Sequence, residues 1–409
     1  MVSNIVSIVK RQDIPESPAE FTEKSLSVVK ELLKEAIDKC CDFEKMVKGK
    51  TVLLKPNLVR PNPKEFPGVT TDLRIIKSMV RLANEAGAKK VMVGDNPGFG
   101  LACRVAIHLA HLEHYLKDEN CEIKYFDEEE TIVIPNDGAY VFKNIALPKS
   151  VAECDVFINL PKMKTHMHSI VTLGIKNLKG IILDNQRMLY HRGDLYQKVA
   201  DILRAKQPDL TIVDAIWTLE GQAPLYNATL IKDSNFVVAG TDVVAVDSVA
   251  SMTMGVHPEE VAIIRAAAMA GLGCMDLDKI KVVGNSIKDV QRIYKRSVIS
   301  SVAVFPKVHV VEGGACSGCQ SALRHSLDKL YAEGLIDKND EFSVYVGVPM
   351  PQIESEAKHC GTLWCFGNCA VELVYKHHER KTTLNKFIPG CPPHVLDLYK
   401  EIKSFFEDK

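Results

Sequence analysis

Short apolar runs bounded by Gly, Pro and Asn alternate with longer stretches of helical periodicity along most of the chain. Residues 51–55 (TVLLK), 90–94 (KVMVG), 155–160 (DVFINL), 210–214 (LTIVD), 235–239 (NFVVA) and 280–284 (IKVVG) lack polar alternation. That is the pattern of parallel strands covered on both faces. Residues 22–42 set Leu26, Val28, Val29, Leu32, Leu33, Ala36 and Ile37 at helical spacing. Further helices are predicted at 72–86, 101–117, 195–205, 242–253 and 258–270. Strands alternating with helices predict an α/β fold, a mostly parallel sheet with helices on both faces. A second pattern starts near residue 305, with strands at 307–311 and 342–347 and helices at 320–333 and 393–407. The boundary is expected between about 290 and 306, giving an α/β domain over 1–300 and a smaller, cysteine-rich domain over 301–409.

Composition narrows the class. The 409 residues are 46% hydrophobic and 25% charged, which excludes a disordered, collagen-like or coiled-coil chain. Lys+Arg is 51 against 52 Asp+Glu, so no net basic footprint calls for nucleic acid or an anionic membrane. The most apolar stretch, 236–256, carries Asp242 and Asp247 and is not read as a membrane span. The first residues lack the basic start of a secretory signal, so a cytoplasmic location is expected. There the 12 cysteines are not expected to be structural disulfides.

In open α/β sheets, ligands sit beyond the carboxyl ends of strands. The residues following the predicted strands are Lys55-Pro56-Asn57 with Thr70-Thr71, then Gly94-Asp95-Asn96, then Pro161 to His168, then Asp214. The loop 161–179 is the densest, holding Lys162, Lys164, Lys176 and Lys179 beside His166 and His168. Ammonium groups and imidazoles suit an anionic ligand, and a desolvated lysine serves as a base. The reading assigns catalysis to Lys162, Lys164, His166, His168 and Asp95. It assigns substrate binding to Lys55, Asn57, Thr70, Lys176, Asn177 and Asp214. Solvated surface lysines are the alternative for the loop, a plain turn for Gly94–Gly98, and a metal pair for His166 and His168. No GxGxxG, Walker A or HExxH motif occurs.

The ordered segments LLKPNLV, GVTTDLRII, VGDNPG, NLPKMKTHMHSIVTLGIKNLKG, PDLTIVDAIWTLEG and AGTDVVAVDSVAS resemble domain-of-unknown-function family 362 over roughly residues 45–285. The resemblance implies a companion iron–sulfur module, since members often carry a ferredoxin-like one. This chain has no CxxCxxCxxxCP run, so a cluster here is held differently. A distant link to lactate-racemase-type enzymes does not bring a nickel cofactor with it.

Six cysteines crowd the last hundred residues: Cys316, Cys319, Cys360, Cys365, Cys369 and Cys391. Four thiolates hold a [4Fe–4S] cluster, and a CxxC pair lets two of them reach it from one turn. A Cys₄ zinc site is the alternative. The set CxGC…GxCA…PGCPP resembles the small subunit of nickel–iron hydrogenases and the cluster subunit of respiratory complex I, over roughly 307–400. That resemblance implies a flavodoxin-like domain with Cys316, Cys319, Cys369 and Cys391 as ligands. Cys360 and Cys365 stand outside its pattern, as substitutes for Cys369, a redox pair or reactive thiols near the cluster.

The sequence thus predicts an iron–sulfur oxidoreductase acting on a small anionic substrate. A lyase using the cluster as Lewis acid and a cluster-carrying assembly protein are the alternatives. The expected partners are that substrate, a redox protein and a second copy of the chain, with no nucleic acid.

Overall fold

The computed structural model describes residues 4–12, 14, 21–59, 67–97, 101–166, 169–183, 195–223, 228–297, 305, 307–348, 362–372, 374 and 384–407. The chain divides into two compact units, the first drawn from residues up to Ser297 and the second mainly from those beyond it.

The first unit opens with β1 (Ile5–Lys10), β2 (Thr51–Pro56), β3 (Lys90–Gly94) and β4 (Glu122–Lys124). The pair β5 (Thr131–Pro135) and β6 (Asn144–Pro148) forms a separate antiparallel ribbon. Then follow β7 (Val156–Leu160), β8 (Lys162–His166), β9 (Ile170–Thr172), β10 (Leu210–Gly221), β11 (Ala228–Ile231), β12 (Phe236–Gly240) and β13 (Lys281–Gly284). All but the ribbon make one 11-stranded sheet with the spine β13-β1-β12-β10-β7-β2-β3-β4. The run from β10 to β4 is parallel, as is β13 with β1. Only β12 within the spine runs against its neighbours.

Burial explains why these strands carry no polar alternation. On β2, Val52 and Leu54 enter one apolar cluster with the helices Glu23–Asp38 and Leu73–Glu85. Leu53 enters the other, with Leu195–Ala205, Val243–Thr253 and Ala262–Met269. Successive side chains point to opposite faces, so a strand covered on both sides is apolar throughout. The same argument shows why direction was illegible at 235–239: β12 is as buried as its neighbours yet antiparallel to both.

Three local expectations change. The helix expected over 101–117 is two, Cys103–Leu109 and Leu112–Leu116, broken where His111 adopts φ 55°. The N-terminal strand β1 was not foreseen. The stretch after β7 is not a loop throughout: Lys162–His166 is β8, beside the far half of the 12-residue β10. Pro161 has no N–H to continue the β7 ladder, and its carbonyl accepts from Asp214 N at 2.8 Å. The chain then resumes pairing with Lys162 opposite Asp214.

The second unit carries β14 (Val308–Glu312), β15 (Phe342–Val346), β16 (Thr362–Phe366) and β17 (Leu384–Ile388), all parallel and adjacent in that order. The helices Ser317–Ala332 and Asp397–Glu407 cover one face through Leu323, Leu327, Leu330, Leu398 and Ile402 against Val344, Trp364 and Phe366. Among the described strands this sequential order differs from the 2-1-3-4-5 order of flavodoxin. Neither β16 nor β17 was foreseen.

Candidate functional site

The residues that follow β2, β3 and β7 meet β8 and β10 at the carboxyl edge of the large sheet. Two ion pairs lie at its centre. Lys55 Nζ stands 2.6 Å from Asp95 Oδ1, with side chains 1% and 2% exposed. The contact is an ion pair without hydrogen-bond alignment at Oδ1, and Lys55 donates to Pro56 O at 3.0 Å. Asp95 Oδ2 accepts from Leu58 N at 2.9 Å. Lys162 donates to Asp214 Oδ2 at 2.8 Å with both side chains fully buried. Asp214 also accepts from Asp72 N at 2.7 Å and Ile216 N at 3.0 Å. Burial raises its carboxyl above the ordinary range, against the pull of Lys162.

Two further lysines differ from these. Lys164, on β8, donates to Asn57 Oδ1 at 2.8 Å and to Val69 O at 2.7 Å, both neutral acceptors. Burial drives its pKa well down, and Lys176 and Lys162 add repulsion. Lys176 projects from the short helix Gly174–Asn177; part of its chain reaches solvent while enclosure of the amine lowers its pKa to about 7. The N–H groups of Gly174 and Ile175 bind the buried Asp247 carboxylate at 2.7 and 2.8 Å.

An amide chain knits the strand ends together. Asn57 donates to Asn177 Oδ1 at 2.9 Å, Asn177 to Asn159 Oδ1 at 2.8 Å, and Asn159 to Gly174 O at 3.0 Å. Thr71 donates to Leu160 O at 2.7 Å and accepts from Asn57 N at 2.8 Å, with Thr70 buried beside it. Gly180 closes over the first ion pair. A Cβ there would stand 2.2 Å from Asp95 Oδ1 and 2.6 Å from Lys55 Nζ, so only glycine permits that approach.

The structure therefore brings together Lys55, Asn57, Thr70, Asp95, Lys162, Lys164, Lys176, Asn177 and Asp214. His166 ends β8 and is partly exposed. His168 lies outside the described residues. The solvated-lysine alternative fails for Lys162 and Lys164, which are 0% and 1% exposed. Of the lysines expected to suit an anionic ligand, Lys55 and Lys162 are each already paired with a carboxylate. Sequence reasoning passed over Asp72, which holds Arg74 at 2.7 Å in a buried pair. Burial alone would raise the Asp72 carboxyl, and Arg74 outweighs it. It also passed over Asn159 and Asp247. The polar Asn159 inside the apolar run DVFINL was the available signal.

In the second unit, Cys316 caps the helix Ser317–Ala332 just beyond β14, Cys369 lies in the turn after β16, and Cys391 follows β17. Because the strands are parallel, all three loops share one edge. The turn and the last loop are tied by Asn368 N to Gly390 O at 2.8 Å and Gly390 N to Asn368 Oδ1 at 2.7 Å. Cys319's thiol, and the N–H groups of Gly318 and Cys319, stabilise the Cys316 thiolate and bring it to about 5. Cys319 is pushed up by Cys316 foremost and by burial, with Cys391 and Cys369 adding to it. Burial raises Cys369, and Cys391 and Cys316 contribute. Gly367, at φ 92°, leaves open a Cβ position 3.0 Å from Cys319 Sγ. Among the described residues no three Cys, His, Asp or Glu side chains converge as ligands of a single metal ion. Cys365 lies inside β16, packed with Val311, Tyr345, Leu363 and Ala370, and burial raises its thiol to about 12. Cys360 lies outside the described residues.

Fold and site together define a two-unit α/β protein with a buried lysine–carboxylate centre and a separate thiol cluster, each at a carboxyl sheet edge. Residues 52–252 match the protein family described as "Domain of unknown function (DUF362)". The thylakoid-associated protein sll1697 of Synechocystis sp. is 29% identical over 235 residues, spanning 55% of this chain and 69% of that protein. The lactate racemase apoprotein from Thermoanaerobacterium thermosaccharolyticum is 12% identical with a TM-score of 0.36. It covers 61% of this chain, which spans 57% of its length. A Thermotoga maritima protein is 11% identical with a TM-score of 0.33, covering 59% of this chain and 61% of its own. Likeness at that level does not bear on activity. No helix among the described residues is long and apolar enough to cross a membrane.

Proposed function

We propose that this chain is an iron–sulfur oxidoreductase. Cys316, Cys319, Cys369 and Cys391 hold one [4Fe–4S] cluster, and the lysine centre of the first unit binds a small anionic substrate. The observation that supports the reading is that three loops carrying these cysteines share one sheet edge, where Cys316, Cys391 and Cys369 act electrostatically on Cys319. Their resemblance in motif to the hydrogenase small subunit points the same way. A Cys₄ zinc site is the alternative that the metal analysis below separates from it. Cys316 stands at the N-cap of the helix Ser317–Ala332, a position that favours a thiolate.

When bound, the cluster supplies one-electron chemistry. The chain's own residues supply charge and proton handling. Among the described residues Lys164 donates only to neutral acceptors and Lys176 forms no ion pair, so a carboxylate or phosphate ligand is drawn to them. Lys176, whose amine exchanges its proton near neutrality, accepts or returns the substrate proton. Asp214 and Asp95 fix Lys162 and Lys55, and the asparagine chain holds Lys164's acceptor Asn57 in place.

Iron and acid-labile sulfide analysis of anaerobically purified full-length protein is the direct test. About four of each per chain, with a visible band bleached by dithionite, is expected. Stoichiometric zinc without sulfide, or a colourless protein after anaerobic reconstitution, would overturn the reading.

A further inference from the structure

Cys40 and Cys41 are the one adjacent pair of cysteines in the sequence. They lie at the joint between the helices Glu23–Asp38 and Phe43–Val47. Their N–H groups both donate to Ile37 O, at 2.9 and 3.0 Å, so a tight turn holds the pair on the helix end. Cys40 packs inside the apolar cluster of that face and is 6% exposed, whereas Cys41 is half-buried. Both are free thiols.

Cys41 lines a cavity of about 480 Å³. Its wall is apolar at Ile37, Phe43, Leu82 and Ala86, and Asp38 and Asp42 bring negative charge to Cys41. The wall belongs to the segments that lead into β2 and β3, whereas Lys55 and Asp95 lie at the far ends of those strands. The cavity is therefore distinct from the lysine centre.

The two thiols act on each other. The Cys41 thiol, foremost, holds the Cys40 thiol below its ordinary range against burial. Cys40, foremost, and burial push the Cys41 thiol up. A buried thiolate thus stands next to a protonated thiol that faces the cavity, the arrangement thiol–disulfide exchange requires. We propose that Cys40 and Cys41 form a reversible dithiol–disulfide exchange site for a small non-anionic disulfide, which enters through the cavity at Cys41. The site stands independently of the iron–sulfur and anionic-substrate readings.

In the exchange, Cys40 takes the Cys41 proton and Cys41 Sγ attacks one sulfur of the ligand. The ligand S–S bond breaks, and the released thiolate carries that proton away. The Cys40 thiolate then attacks Cys41 Sγ and expels the second thiolate, which is protonated by water. The protein gains one S–S bond, and the ligand is reduced to two thiols. Adjacent Cα atoms stand about 3.8 Å apart, short of the roughly 4.4 Å that ordinary disulfides span, so the bridge is strained and readily reduced.

Anaerobic treatment of the full-length protein with cystamine, an acid quench and peptide mapping test this. Cleavage after Lys39 and Lys45 yields a peptide, residues 40–45, that holds both cysteines and no other. That peptide should lose two hydrogens, retain no cysteamine and be restored by dithiothreitol. Dithiodiglycolate, the anionic counterpart, should react about tenfold more slowly. Cys41→Ser should leave the peptide unmodified, and Cys40→Ser should stop at a mixed disulfide on Cys41. Should Cys40→Ser fail to fold, the native protein and Cys41→Ser decide the matter. A peptide modified only in urea, cysteamine retained on Cys41 of the native protein, modification of Cys40 in Cys41→Ser, or equal rates with both reagents overturns the proposal.

Discussion

Replacing Asp214 by Asn removes one charge from the centre of the first unit with little change in shape. The amide oxygen still accepts one of the N–H groups of Asp72 and Ile216. What is lost is the counter-charge of Lys162, 2.8 Å away, with both side chains fully buried. Breaking a buried pair by removing one partner costs about 3–5 kcal/mol, because the other charge stays buried and uncompensated. Replacing both, Lys162→Met with Asp214→Leu, should be far milder, since apolar groups need no partner. Urea denaturation followed by tryptophan fluorescence measures the difference. Trp217 sits on β10 in the first unit and Trp364 on β16 in the second, so two transitions are resolvable. The pH dependence carries an independent signature. A stranded buried ammonium is relieved by losing its proton, so the folded variant binds fewer protons than the unfolded chain and stability rises with pH. The deficit therefore narrows as pH climbs towards the ordinary lysine range, about 10.4. A loss below about 1 kcal/mol that is also flat with pH would refute the claim that this pair is internally compensated.

Lys176 gives a second pH signature. Its folded pKa of about 7 lies below the ordinary 10.5, so the unfolded chain binds the extra proton between those values and stability rises with pH across that window. Lys176→Met should flatten part of that rise, read from denaturation midpoints at several pH values. Gly180→Ala should destabilise the first unit by about 1–3 kcal/mol by forcing a methyl into the Lys55–Asp95 pair, checked by the same titration. Cys369→Ser should lower iron and sulfide content, whereas Cys365→Ala should leave the metal content intact and lower only the unfolding midpoint of the second unit. Equal metal loss in both variants would contradict the placement of Cys365 in the apolar core.

Much of the sheet was legible because burial on both faces writes itself as uninterrupted apolar runs, as at 90–94, which is β3 to the residue. Direction was not legible, for β12 is as apolar as its parallel neighbours. The candidate site was located because polar residues follow those runs, but its electrostatics were hidden. Nothing in the spacing of Lys162 and Asp214 announces that Pro161 redirects the chain so that the two meet. In the second unit, Cys365 stood outside the ligand pattern as a substitute, and TLWCF was not read as a strand, although its alternate residues fill two apolar clusters.

The order of strands has a bearing on how this protein must be born. The strand β1 is flanked by β12 and β13, both of which lie far later in the chain. Until β12 has been made, β1 has neither of its sheet neighbours and offers an unpaired apolar edge to its surroundings. Chains cut before Phe236 should consequently depend on chaperones or clump together, even though every residue of the lysine centre has already been made.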